Sequence, residues 1–232
     1  SVTANVQVNA NPVPAITGTL AFCQGSNTSI NAGPGFATYL WNTGAATANL
    51  SVTTGGTYTV TVTNAAGCSA NTSAVVVANP LPVPAIAGIT SFCTGGNTTL
   101  NAGAGYTGYL WNTGAITQNI NVTTGGNYTV TVTNANSCTA LANVLVTVNA
   151  LPTPNITGTF AFCQGSNTII NAGAGFASYQ WSNGASTQNI TVSNGNTYTV
   201  TVSNANGCTN TDSQLVTVNP NPVPAITGVT TI

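Results

Sequence analysis

Two series of cysteines set the frame of this chain. Cys23, Cys93 and Cys163 follow one another at 70 residues, and Cys68, Cys138 and Cys208 keep the same interval. Trp41, Trp111 and Trp181 repeat at that step, as do Tyr58, Tyr128 and Tyr198, so no insertion separates the copies between these landmarks. A period above the usual solenoid range, with a Trp and two Cys in every copy, fits tandem small domains better than thin stacked coils. The series Asn9, Asn79, Asn149 and Asn219 sets the phase, giving three units at 9–78, 79–148 and 149–218. Residues 1–8 match the last strand of a unit, and 219–232 match the linker and opening of another, so the expectation is a longer array at both ends.

The chain has no Lys, Arg or His, and Asp212 is its one acidic residue. Ordinary domains carry about a quarter charged residues. Disorder does not follow, because the hydrophobic fraction is 42%, and disordered chains combine low hydrophobicity with high charge. Solubility rests on Thr, Asn, Ser and Gln, and a net charge near zero removes the repulsion between copies, so self-association is expected. Without basic residues there is no counterion release to drive binding of nucleic acid or an anionic membrane surface. The apolar stretches fall short of the roughly 20 residues of a membrane helix.

Helix formers are scarce and Thr, Val, Asn and Gly dominate, so each unit reads as six or seven short strands. The clearest is Gly56 to Thr63, where Tyr58, Val60 and Val62 alternate with threonines to give one buried and one solvated face. Asn64-Ala65-Ala66-Gly67 follows as a turn, and Val76 marks the inward phase of the closing strand. Ile30 and Ala32, Tyr39 and Trp41, and Leu50 and Val52 mark earlier strands. The predicted fold is all-β: small immunoglobulin-like antiparallel sandwiches. Between them lie Asn11-Pro12-Val13-Pro14 and its counterparts at 80–84, 151–154 and 220–224, whose prolines favour a semi-rigid extended backbone and an extended rod of beads.

Phe22-Cys23, then Tyr39-Leu40-Trp41-Asn42-Thr43-Gly44-Ala45, then the run from Gly56 to Cys68 recur in all three copies. These strings resemble the tandem immunoglobulin-like and PKD-like repeats of large secreted surface adhesins of Bacteroidota, including gliding-motility-associated proteins exported by the type IX system. The resemblance implies an extracellular location and a spacer or adhesive role, with no particular ligand. Tyr58 also resembles the tyrosine corner of immunoglobulin sandwiches, but Val60, with Val130 and Val200, stands where those domains place their second intersheet cysteine.

Two Cys per unit, no His and one carboxylate give no ordinary zinc site and too few oxygen ligands for calcium, so disulfides are the reading for Cys23, Cys68, Cys93, Cys138, Cys163 and Cys208. Bridges within each unit, Cys23 to Cys68 and its equivalents, are favoured by the habit of small secreted domains, and each would contribute roughly 3 to 4 kcal/mol. The rival joins neighbours, for example Cys23 to Cys138, because the two cysteines of one unit fall near opposite poles of a sandwich. Trp41, Trp111 and Trp181 with Tyr58, Tyr128 and Tyr198 are assigned to the core, against a sugar-stacking platform of Tyr39, Trp41 and Tyr58. Catalysis has no titratable base beside a nucleophile, and Asp212 is expected as a solvated surface carboxylate, so no enzyme and no cofactor are expected. Thr59, Thr61 and Thr63 form a ladder that could face ice but equally makes an ordinary polar strand face. Asn-x-Ser/Thr triplets, as at Asn27 and Asn71, arise by chance in such a composition.

These readings combine into an extracellular fibre or adhesin stalk, with neighbouring repeats and other copies of itself as partners. The alternative is a module binding a surface glycan or other polymer through aromatic or Thr/Asn faces, and ice binding is a more distant one.

Overall fold

The computed structural model describes residues 3, 4, 6–225 and 228, and all regular structure among them is β. The first repeat carries seven strands: β1 (Thr17–Gly18), β2 (Ala21–Cys23), β3 (Thr28–Asn31), β4 (Thr38–Trp41), β5 (Asn49–Val52), β6 (Gly56–Thr63) and β7 (Ser69–Asn79). They form two sheets, ordered β2-β7-β6-β4 and β1-β3-β5. The β6–β7 hairpin pairs Gly56 with Val76 through to Thr63 with Ser69. Its alternation turns Tyr58, Val60, Val62 and Val76 to the opposite sheet, where they join Ile30, Trp41, Leu50 and Val52 in one buried cluster. Residues from both sheets share this core, which makes the unit a sandwich. Each large apolar side chain buried there contributes roughly 1.5 to 3 kcal/mol.

One ladder departs from the antiparallel expectation. β2 runs parallel to the end of β7, with Cys23 opposite Asn79, because the segment leaving the linker enters along the outer edge of the closing strand. Val77 donates its N–H to the Leu20 carbonyl there, so that edge is covered over this stretch.

The middle repeat supplies β8 (Ser91–Cys93), β9 (Thr98–Asn101), β10 (Gly108–Trp111), β11 (Asn119–Val122), β12 (Gly126–Thr133) and β13 (Thr139–Asn149). The third repeats the first with β14 (Thr157–Gly158), β15 (Ala161–Cys163), β16 (Thr168–Asn171), β17 (Ser178–Trp181), β18 (Asn189–Val192), β19 (Asn196–Ser203) and β20 (Thr209–Asn219). Its sheets are β15-β20-β19-β17 and β14-β16-β18. In the middle repeat a single bridge, Ala87 to Asn101, takes the place of the two-residue strands β1 and β14. Each closing strand ends on its asparagine, Asn79, Asn149 or Asn219, as the phase of the repeat predicts.

The chain divides into two compact units. One comprises Ser1–Ala87, Asn101–Ile120 and Tyr128–Val144, the other Gly88–Leu100, Asn121–Asn127 and Leu145–Ile232. The division passes through the middle repeat, so the units do not follow the 70-residue boundaries. The first holds the β4–β6 and β10–β12 ladders, and the second holds the parallel β8–β13 pairing with Cys93 opposite Asn149. At the ends, residues 3, 4 and 6–8 form no strand, and the rest of the expected strand at 1–8 lies outside the described residues. Of the opening expected at 219–232, positions 226, 227 and 229–232 also lie outside them.

The Trp and Tyr series lie where the sequence places them. Trp41, Trp111 and Trp181 are 1%, 1% and 2% exposed, and each indole N–H donates to a backbone carbonyl six residues on, Thr47, Thr117 and Thr187, at 2.8 to 2.9 Å. The buried ring thus keeps its polar handle satisfied. Tyr58 and Tyr198 donate from their hydroxyls to the Thr54 and Asn194 carbonyls, four residues upstream, which is the tyrosine corner. Beside Tyr58, Val60 is fully buried, so an apolar contact replaces the intersheet bridge of antibody domains.

Candidate functional site at the repeat junction

The chemistry of this chain concentrates where one closing strand hands over to the next linker. In the first unit the Asn79 carbonyl, at the end of β7, accepts the Gln24 N–H at 2.8 Å, which seats Cys23 beside it. Against the same point packs the turn after β12. Asn134 organises that turn, its Oδ1 accepting the N–H groups of Asn136 and Cys138, each at 3.0 Å. Its Nδ2 donates to the Pro80 carbonyl at 3.0 Å. Cys23 and Cys138 are thereby brought to 5.6 Å between Cα atoms and joined as a disulfide.

The second unit repeats the arrangement. Asn149 O accepts the Thr94 N–H at 2.9 Å, Asn204 Nδ2 donates to Ala150 O at 2.8 Å, and Cys93 is bonded to Cys208. Both bridges span 115 residues.

The bridges therefore join neighbouring repeats, and the within-unit closure expected from small secreted domains does not form. The reason is the length of the closing strand. Cys23 sits opposite the last residue of β7 and Cys68 immediately precedes its first. Eleven strand residues at about 3.3 Å each separate the two by roughly 33 Å, whereas a disulfide needs Cα atoms within about 7 Å. The poles of adjacent repeats, in contrast, meet at the junction.

Cys68 and Cys163 are not bonded. Each stands at a junction with one side present. Cys68 Sγ lies 3.8 Å from the Asn9 carbonyl, as Cys208 Sγ lies 3.9 Å from Asn149 O, and Asn64 Nδ2 donates to Ala10 O at 2.9 Å. Cys163 stands opposite Asn219, with Gln164 donating its N–H to Asn219 O at 2.9 Å, as at the two closed junctions. Beside Cys163 opens a cavity of about 560 Å³ lined by Gln164, Gly165, Ser193, Gly195, Val218 and Pro220.

The remaining candidates fall away from a common site. Of the proposed sugar platform, Trp41 and Tyr58 are buried, while Tyr39 is half-buried, packs edge-on against Phe36 and donates its hydroxyl to Gly33 O. Two hydroxyls of the threonine ladder are engaged across the hairpin, Thr59 with Ser73 and Thr63 with Ser69. Asp212, expected as a solvated carboxylate, is half-buried instead. Its Oδ2 accepts the Ile156 N–H at 2.7 Å and its Oδ1 the Ser213 N–H at 2.8 Å, pinning the segment that enters the third sandwich. Sequence reasoning also missed the role of Asn64, Asn134 and Asn204, whose signal was present: each stands four residues before the second cysteine of its repeat.

A family model described as "Protein of unknown function (DUF642)" matches residues 85–162, about a third of the chain. No curated protein matches the chain. Among solved structures, the N-terminal eight immunoglobulin domains of Down syndrome cell adhesion molecule are similar over 91% of this chain, with 17% identity and a TM-score of 0.46. This chain spans 37% of that one's length. A Ca²⁺-stabilised adhesin with which an Antarctic bacterium binds ice is similar over 92% of this chain and 75% of its own, with 13% identity and a TM-score of 0.41. A Bacteroides ovatus mixed-linkage glucan utilisation protein is similar over 94% and 70%, with 17% identity and a TM-score of 0.23. The fold itself rests on this chain's strand order, register and two-sheet core: tandem immunoglobulin-like β-sandwich repeats.

Proposed function

We propose that this chain is a structural segment of an extracellular fibre or adhesin stalk, in which sandwich modules are fastened to their neighbours and the array itself is the working part. The observation that carries this reading is the disulfide between repeats. A bridge inside a module stabilises that module alone, whereas Cys23–Cys138 and Cys93–Cys208 fasten each repeat to the next and resist separation under tension.

Three further features support it. Disulfides persist in oxidising compartments outside the cytosol. The proline-rich linkers are held at their first residue by Asn64, Asn134 and Asn204, which limits pivoting. With Asp212 committed to backbone N–H groups, the role proposed is non-catalytic, with no cofactor and with copies of the same module as partners. Small-angle scattering of the oxidised chain tests the proposal: a pair-distance distribution with peaks at bead spacing and a long tail is expected, and the single compact peak of a globule would overturn it.

A further inference from the structure

The two unbonded cysteines are not equivalent to each other. Cys163 belongs to the series whose other members, Cys23 and Cys93, bond forward to the following repeat. Cys68 belongs to the series whose other members, Cys138 and Cys208, bond backward. They are the two halves of one joint. We propose that the cavity beside Cys163 is a socket for the Asn64–Cys68 turn of a second copy of this chain, and that a Cys163–Cys68 disulfide closes the joint.

Both halves are preformed. On the socket side, Asn219 O already holds the Gln164 N–H, as Asn79 and Asn149 hold Gln24 and Thr94 where a turn is docked. The cavity is lined in part by Pro220, the counterpart of Pro80 and Ala150, whose carbonyls receive the Asn134 and Asn204 amides. On the plug side, Asn64 Oδ1 accepts the N–H groups of Ala66 and Cys68 at 3.0 Å, as Asn134 and Asn204 do in the two docked turns. Burial follows occupancy: Cys138 and Cys208 are 0% and 1% exposed in their joints, whereas Cys68 is partly exposed and Cys163 exposed.

Joining two copies requires one exchange. Asn9-Ala10 of the incoming copy and Asn219-Pro220 of the receiving copy are the same position of the repeat, and one of them must yield. The incoming Asn64 then gives up its own Ala10 carbonyl for that of Pro220, one hydrogen bond replacing another of the same kind. Asn221 Nδ2, bonded to Gln164 O at the cavity, is the group the plug displaces.

The covalent step uses a low-molecular-weight disulfide such as oxidised glutathione. The Cys163 thiolate attacks it and expels one small thiolate, giving a mixed disulfide. The Cys68 thiolate then attacks the Cys163 sulfur and expels the second. Two cysteine thiols are oxidised to one disulfide, the small disulfide is reduced to two thiols, and the two cysteine protons end on those leaving thiolates.

The joint rests on the reading of the chain as a self-fastening array, and it can fail without that reading failing. In the test, full-length Cys68→Ser and Cys163→Ser chains, each with its two repeat-to-repeat bridges intact, are mixed in equal amounts in glutathione buffer. Covalent dimers are then resolved and peptide-mapped. Random thiol pairing makes the heterodimer equal to the two homodimers together. The joint predicts a heterodimer about tenfold above that, equivalent to roughly 1.4 kcal/mol of preference, and a ladder of oligomers in the unsubstituted chain. A statistical mixture, no dimer at all, or a Cys68–Cys163 bond within one unsubstituted chain each overturns it. If scattering still reports elongated particles, the stalk reading survives that failure; if scattering shows globules while the heterodimer forms, the joint stands and the stalk reading falls.

Discussion

Cys23 and Cys138 lie 115 residues apart in the chain and 5.6 Å apart at Cα, and the bridge between them makes the first junction a covalent joint. Its partner in the first repeat's own sequence, Cys68, stands at the far end of β7. The joint has a thermodynamic consequence. Closing a loop of this length contributes roughly 4 to 5 kcal/mol by the chain-entropy estimate. Non-reducing peptide mapping is expected to return Cys23–Cys138 and Cys93–Cys208. A Cys93→Ser, Cys208→Ser chain should lose stability of that order in urea unfolding, with the two repeats melting apart at lower denaturant.

Ser137 is the only non-glycine residue with positive φ among the described residues, at 61°, and it occupies the turn position that Gly67 and Gly207 fill in the other repeats. A side chain there costs about 1 to 2 kcal/mol relative to the right-handed region. Ser137→Gly should therefore stabilise the docked turn by about 1 kcal/mol, read as a rise in the thermal midpoint. No change would mean that the turn relaxes elsewhere.

Gly158 takes φ +137°, and a Cβ on it would meet the Ile169 carbonyl oxygen at 2.6 Å. Gly158→Ala is expected to separate β14 from β16 and to cost about 2 kcal/mol or more, since both strain and a backbone clash must be relieved. Gly175→Ala, at φ +90° with open space around it, should cost only the conformational part. Equal losses in the two variants would contradict the close approach of β14 to β16.

Tyr198→Phe removes the hydroxyl that donates to Asn194 O at 3.1 Å while leaving the ring packed. The expected loss is about 1 kcal/mol. Chemical denaturation measures it, and the Tyr58→Phe counterpart should match it within a few tenths.

The sequence by itself determined the module and its count. Strict 70-residue spacing of Cys, Trp and Tyr defined the copies, and the period-two run from Tyr58 to Val62 carried the sheet, because strand periodicity and burial are local properties of a chain. The buried tryptophans and the tyrosine corner were legible for the same reason. Tertiary structure alone decided which cysteines meet. Pairing depends on where the two ends of an eleven-residue strand project once neighbouring repeats pack, and identical spacing in every copy makes a within-repeat and a between-repeat bridge look alike in sequence. It decided the role of Asp212 as well: only the packed chain brings the Ile156 N–H to that carboxylate, which turns an apparent surface charge into a structural anchor.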